Sequence, residues 1–311
     1  MKIKLTEEAQ AMLDRPLDEK IAFISKESWI DYPLSQIILD QLEEIFVQEK
    51  NKLRIASFLL IGSSNNGKTS LLHKFLDIHP PYDFFQDNPE KITKEFFDKY
   101  EATGTPIKYI LAPTEPSETR LYSNILNSIN APFKESDAVA KKQYLVEYYL
   151  KILNVEMLII DEIHNILSGS VAKQKQILNA IKNLSNNLKI PIVLAGTKDA
   201  LRAISTDPQI ISRFRPIYLT KWKMEKDYVN LLATILSTLP LKKESDILNT
   251  KTAQEILRLS DGCIGDIVTL LKKAAIYALK NKLERITLDE IQKCGHVSMS
   301  HVNKTINLQD L

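Results

Sequence analysis

The sequence predicts a parallel α/β domain followed by a smaller all-helical one, and three observations carry that reading. Five short apolar runs recur between residues 56 and 220, almost without polar alternation, as strands covered on both faces of a sheet require. Longer stretches at helical spacing separate them, the alternation of a parallel sheet with crossover helices. Beyond residue 224 the runs stop and only helical patterns remain.

In chain order, residues 1–50 read as a mostly helical segment packing on the α/β domain. Within it, SQIILDQLEEIFVQEK sets Ile37, Ile38, Leu42, Ile45 and Phe46 at helical spacing. Ahead of it SWIDYP ends in Pro33 and should be an extended or turn segment. Residues 51–222 form the α/β domain. Its five strands are ASFLLIG (56–62), IKYILA (107–112), VEMLIID (155–161), IPIVLAG (190–196) and PIYLT (216–220), with helices over 68–76, 117–129, 137–153 and 171–187. In 223–311, DYVNLLATILSTL, TAQEILRLSDG, IGDIVTLLKKAAIYALKNK and TLDEIQKCG read as helices. Gly262 is a stop signal, Thr287 with Glu290 a capping box, and the last ten residues a polar tail.

Composition narrows the function classes. With 44% hydrophobic and 26% charged residues the chain has the balance of a soluble globular protein. A net charge of +2 gives no global attraction for nucleic acid. Such binding would need a local patch or several aligned subunits. Cys263 and Cys294 lack ligand or disulfide spacing, which fits a reducing cytoplasm. The opening residues lack the apolar core of a signal peptide and no run approaches membrane-spanning length, so a cytoplasmic place and no membrane partner are expected.

Gly62-Ser63-Ser64-Asn65-Asn66-Gly67-Lys68-Thr69 matches the phosphate-binding pattern G-x-x-x-x-G-K-[ST] between an apolar strand and a helix. A polyphosphate must sit against bare backbone. The glycines allow the tight path, and the N–H groups of the loop and the following helix point at the phosphates. Lys68 would reach the β- and γ-phosphates and the Thr69 hydroxyl would ligate magnesium, with Ser70 next in the helix. ATP and Mg2+ are thus the expected ligands.

MLIIDE places Asp161 and Glu162 at the C-terminal end of a buried strand, where open α/β sheets bind ligands. Asp161 suits the magnesium shell, and Glu162 is placed to polarise a water for attack on the γ-phosphate. A protein that only held nucleotide would need the Asp alone, so Glu162 favours hydrolysis. DEIH invites comparison with a helicase box, but that reading needs a second motor domain with arginine-rich motifs. His164 is expected to pack or hydrogen-bond at the cleft edge.

Thr197 tips the strand IPIVLAG, where it senses the γ-phosphate, or orients the water, or simply caps KDALRAIS. In ISRFRPIYL, Arg213 closes a short helix and Arg215 is extended before Pro216. Either arginine is a candidate to cross to a neighbouring subunit's γ-phosphate. Arg120, Lys173 and Lys175 begin helices near the sheet's ligand-binding rim and are candidates to bind DNA phosphates. Lys141/Lys142, Lys242/Lys243 and Lys272/Lys273 read as solvated helix faces or turns.

A phosphate loop, a strand ending Asp-Glu, a polar strand tip, Ser-Arg-Phe and a helical lid together resemble the AAA+ order of parts. More finely, SWIDYP, IGSSNNGKTSLLHKF, MLIIDEIHNILSGS, LNAIKNLSNNLKIPIVLAGTKDALRAISTDPQIISRFRPIYLTKW and GCIGDIVTLLKKAAIYAL resemble the TniB/TnsC family of transposition ATPases over most of residues 20–280. The resemblance implies an AAA+ P-loop NTPase with a parallel five-stranded sheet and a helical lid. It implies an ATP-dependent regulator that forms rings or helical filaments on double-stranded DNA, hydrolyses ATP, and recruits or activates a DDE transposase, in some cases with a TniQ-like targeting protein. ATP would then lie between subunits of the homo-oligomer, with Arg213 supplied in trans and Trp29 to Pro33, including Tyr32, near the adenine. The sequence departs from many AAA+ proteins in having no arginine at the start of GCIGDIVTLL, so nucleotide sensing by the lid is not expected. The alternative expectation is an initiator or helicase-loader-type ATPase acting on a replication protein. Its mark would be a winged-helix domain after the lid, for which the residues beyond 280 are few.

Overall fold

The structure is a computed structural model that describes residues 3–49, 52, 55–82, 104–205 and 211–296, and not the side chains of Leu167 and Ala203; the polar tail lies outside the described residues. The chain folds as two compact units. One holds Ile37–Ser63 and Lys68–Leu219; the other holds the chain up to Gln36, Ser64–Gly67 and the chain from Thr220 on.

In the first unit the five strands are β1 (Ser57–Gly62), β2 (Ile107–Leu111), β3 (Met157–Asp161), β4 (Ile192–Gly196) and β5 (Phe214–Leu219), in the order β2-β3-β4-β1-β5. All pairings are parallel. β1, β3 and β4 are buried at every residue, which is why their sequences do not alternate. Helices α4 (Lys68–Ile78), α5 (Glu118–Ser128), α6 (Val139–Ile152), α7 (Val171–Leu188) and α8 (Lys198–Ser205) connect them. Leu121, Ile125, Val146 and Ile181 of these helices bury against Leu158 and Ile160, each such side chain contributing about 1.5–3 kcal/mol. That burial fixes the end of β3, and hence Asp161.

β5 begins two residues before the expected start at Pro216: Phe214 pairs with Ser57 and Arg215 with Phe58. Proline had marked the boundary. On an edge strand its missing N–H can face away from the ladder, so the strand runs through it.

In the second unit, α9 (Lys226–Ser237), α10 (Thr250–Leu259), α11 (Ile264–Lys280) and α12 (Leu288–Lys293) enclose Tyr228, Ile256, Ile267 and Leu271. The Tyr228 hydroxyl donates to the Ala253 carbonyl at 2.9 Å. Gly262 ends α10 at φ +68°, and a Cβ there would lie 2.6 Å from the Trp222 carbonyl oxygen, so both conformation and space demand glycine. Thr287 and Glu290 form the expected capping box.

The N-terminal segment, expected as one block against the α/β domain, is divided. α1 (Glu7–Ala11) and α2 (Leu17–Ser25) fall in the unit of the C-terminal helices. The Thr6 N–H donates to the Ser237 carbonyl at 2.8 Å, and the buried Lys20 meets Glu284 at 3.4 Å. α3 (Pro33–Gln48) is shared, its later turns lying with the sheet, where Phe46 meets Phe75 edge-on. Among the described residues no helix is long and apolar enough to cross a membrane.

Candidate nucleotide site

The loop after β1 has the path its glycines foretell. Gly67 sits at φ +81° and Asn65 at φ +59°, the left-handed region that glycine enters freely and asparagine tolerates. A Cβ at Gly62 would come within 3.1 Å of Leu219 Cβ. Lys68 is buried, and its ammonium donates to the carbonyls of Gly62 at 3.1 Å and Ser63 at 3.0 Å. Thr69 and Ser70 open α4 with exposed side chains.

Across the sheet, Thr69 Oγ1 donates to Asp161 Oδ2 at 2.7 Å. The same carboxylate accepts the Tyr109 phenol at 3.0 Å on Oδ2 and the Glu162 N–H at 2.7 Å on Oδ1. Asp161 is fully buried, so these bonds stand in for water. Burial, then the Asp161 charge, push the Tyr109 phenol far above its ordinary value and keep its proton on as a donor. Sequence reading passed over Tyr109. Its signal was a lone hydroxyl in an apolar run, two residues before the β2 residue that pairs with Asp161.

Glu162 follows at φ 55°, ψ 36°, a left-handed conformation that costs a non-glycine residue about 1–2 kcal/mol. Its carboxylate stands 3.1 Å from His164 Nε2, so the neighbour of His164 at the cleft edge is the glutamate itself. Thr197 stands directly after β4, between the strands that carry Gly62 and Asp161, and its carbonyl accepts the Ala200 N–H at 3.1 Å.

Arg213 lies in the turn before β5, half-buried, and its guanidinium donates to Asn186 of α7 in the same chain. Arg215 is exposed on β5. Arg120 pairs with Glu115 at 3.3 Å near the start of α5, while Lys173 and Lys175 are exposed in the first turns of α7. Those two helix starts are neighbours. Gln176 donates to Glu118 at 3.3 Å, and Ser168 donates to the Thr114 carbonyl at 2.9 Å. Lys142, expected to be solvated, is instead fully buried. Its ammonium donates to Ser123 Oγ at 2.9 Å and the Glu135 carbonyl at 3.0 Å, above the Phe133 ring. The buried face of α6 passes through that position, and the loop carbonyl and hydroxyl solvate the charge.

The tip of the phosphate loop is described with the C-terminal helices. The buried Asn66 side chain donates to the Thr220 carbonyl at 3.2 Å and accepts the Ile264 N–H at 3.4 Å. The Asn65 carbonyl accepts the Gly265 N–H at 3.0 Å. Asn66 therefore spends its side chain inside the protein and can offer a ligand its backbone only. The Tyr32 hydroxyl reaches the space beside Gly67 (3.9 Å from where its Cβ would be), and the ring stands edge-on to Trp222 at 5.3 Å. Burial pushes the Tyr32 phenol up to about 12. Pro33 opens α3 next to it. Trp222 was not singled out from sequence, because only the folded chain brings it to Tyr32.

The donor set fits magnesium. A hydroxyl and a carboxylate are hard oxygen ligands. Among the described residues no group of three His, Cys, Asp or Glu could cage a metal, so the remaining ligands would be phosphate oxygens and water, as is usual for this ion.

A β2-β3-β4-β1-β5 parallel sheet, a phosphate loop between β1 and α4 and an Asp-Glu pair closing β3 define an AAA+ P-loop fold. More narrowly, the chain belongs to the TniB family: residues 20–224 match the family described as Bacterial TniB protein. Among solved structures it is similar to Cdc6p from Pyrobaculum aerophilum, at 18% identity and TM-score 0.60, covering 88% of this chain and 69% of that one. It is similar to the Aeropyrum pernix ORC1 protein, solved in complex with DNA, at 14% identity and TM-score 0.59, covering 88% and 68%. It is also similar to Drosophila ORC, solved bound to DNA, at 10% identity and TM-score 0.56, covering 100% and 72%. Likeness at such identity is one of fold. No curated protein matches the chain.

Proposed function

We propose that this chain binds ATP with magnesium, hydrolyses it, and uses the cycle to assemble on double-stranded target DNA, where it recruits or activates a DDE transposase. The observation that carries the nucleotide part is the 2.7 Å bond joining Thr69 to Asp161, with Glu162 next in the chain. TniB membership supports the transposition part.

The backbone N–H groups of residues 62–70 cradle the phosphates, and Lys68 exchanges its two loop carbonyls for phosphate oxygens. Thr69 and Asp161 hold the magnesium, which supplies charge neutralisation on the transferred phosphoryl group. Glu162 polarises the attacking water, Thr197 helps orient it, and Tyr32 and Pro33 contact the adenine. Arg213 leaves Asn186 to reach the site of a neighbouring subunit in the oligomer. Arg120, Lys173 and Lys175 bind DNA phosphates. Repetition along the duplex substitutes for a net charge of only +2. Residues 51–222 act as the nucleotide-binding domain and 223–311 as its lid, in the cytoplasm, with a TniQ-like protein as a further partner.

Imaging the protein on duplex DNA with ATP and with ADP tests the switch; assemblies equally abundant in both would refute it. A second reading, an initiator or helicase-loader-type ATPase, draws on the fold shared with Cdc6p and ORC1. That fold serves either reading, and family membership favours the first. Co-purification with a replicative helicase, and not with a transposase, would reverse the order.

A further inference from the structure

We propose that His164 is the positioning residue that aims the Glu162 carboxylate at the attacking water. The inference rests on the reading of Glu162 as the residue that polarises that water.

The main chain of Glu162 is pinned at both ends. Its N–H donates to Asp161 Oδ1 at 2.7 Å, and its carbonyl accepts the Asn165 N–H at 2.9 Å. Those bonds hold a left-handed residue that would otherwise relax. They do not hold the side chain, which is 39% exposed and has three rotatable bonds. His164 does flank it, with Nε2 lying 3.1 Å from Oε2. That contact lies at one carboxylate oxygen and leaves Oε1 to accept a proton from water.

The histidine is itself set by the fold. It lies in the short 3-10 turn Ile163–Ser168 that follows β3. A Cβ added at Gly196 would approach Ile163 Cγ2 to 2.8 Å and the His164 nitrogen to 3.5 Å. The turn therefore rests on the end of β4, one residue from Thr197, and glycine is what lets it approach. Nδ1 of the ring is buried without a hydrogen-bond partner. Nδ1 is out of reach of solvent, and the carboxylate beside Nε2 favours the tautomer with its proton there, so the imidazole orients the glutamate and does not replace it as base.

The test is steady-state ATP hydrolysis with duplex DNA and magnesium, together with nucleotide affinity by calorimetry. H164A is expected to lower kcat about tenfold, the usual scale for losing an orienting partner. KM and the nucleotide Kd should stay within about twofold, since the contact serves the chemical step and not ground-state binding. H164Q places an amide N–H near the same position and should recover a good part of the rate, which a loss of packing would not allow. In an E162Q background H164A should cost nothing further. H164A retaining wild-type kcat while E162Q abolishes turnover would overturn the positioning role alone. E162Q turning over at the wild-type rate would overturn the reading of Glu162 and this inference with it.

Discussion

The Tyr109 phenol and the Thr69 hydroxyl converge on one oxygen of Asp161, at 3.0 and 2.7 Å, from β2 and from the first turn of α4. A buried carboxylate with two donors on one oxygen and a backbone N–H on the other has a single orientation. Removing the phenol loosens it. Y109F should raise the magnesium concentration needed for half-maximal ATP hydrolysis about tenfold, while metal-free nucleotide binding stays unchanged. Superimposable magnesium titrations for the two proteins would contradict this.

Lys68 is a buried cation bonded to its own loop, so its loss acts twice. K68A should abolish detectable ATP uptake in calorimetry. It should also lower stability by about 1–3 kcal/mol, because two loop carbonyls lose a charged donor, which chemical denaturation would register. ATP binding of wild-type strength would remove Lys68 from the phosphate site.

E162Q keeps the shape of the side chain and loses its basicity. Turnover should fall by about 10²–10⁴ with ATP affinity retained, and assemblies on DNA should persist after free ATP is exhausted. Filter binding over time reads the persistence; disassembly at the wild-type rate would argue against hydrolysis as the release step.

Arg213 offers a complementation experiment. R213A and K68A should each be inactive alone, yet mixing them should restore part of the ATPase rate. Some subunit junctions then pair an intact arginine with an intact loop. No recovery on mixing, with assembly intact, would place the essential arginine elsewhere, and R215A in the same assay would show whether it is the other candidate.

Salt dependence separates DNA-binding charge from solubilising charge. Replacing Arg120, Lys173 or Lys175 with Ala should reduce the slope of log affinity against log salt by about one for each phosphate no longer neutralised. An unchanged slope for all three would move the DNA surface away from the starts of α5 and α7.

Sequence reading succeeded where the causes are local. Unbroken apolar runs located β1, β3 and β4 because both faces of each are covered, and glycine spacing located the loop because its backbone requires left-handed residues at Asn65 and Gly67. Strand order, which no local pattern dictates, is what puts Thr197 beside Asp161's strand. Failures came where a residue's role depends on partners distant in the chain. Tyr109 looked like strand filler until β2 paired with β3. Lys142 looked like surface until the buried face of α6 was known. The N-terminal helices gave no hint that Thr6 and Lys20 bond to residues near the other end. Asn66 reads from the motif as a free loop position, yet its amide is committed to Thr220 and Ile264.

That last commitment, with the Gly265 amide bonded to Asn65, makes the curvature of the phosphate loop partly the work of a helix 198 positions downstream of Asn66. A fragment ending ahead of α11 would preserve every letter of the nucleotide signature and forfeit the scaffold that bends it, so trimming this protein to a minimal motor should blunt its grip on phosphate. Conversely, any bulk added at Gly265, where a Cβ would collide with the Asn65 amide oxygen, should surface as a nucleotide defect transmitted through the shape of the loop.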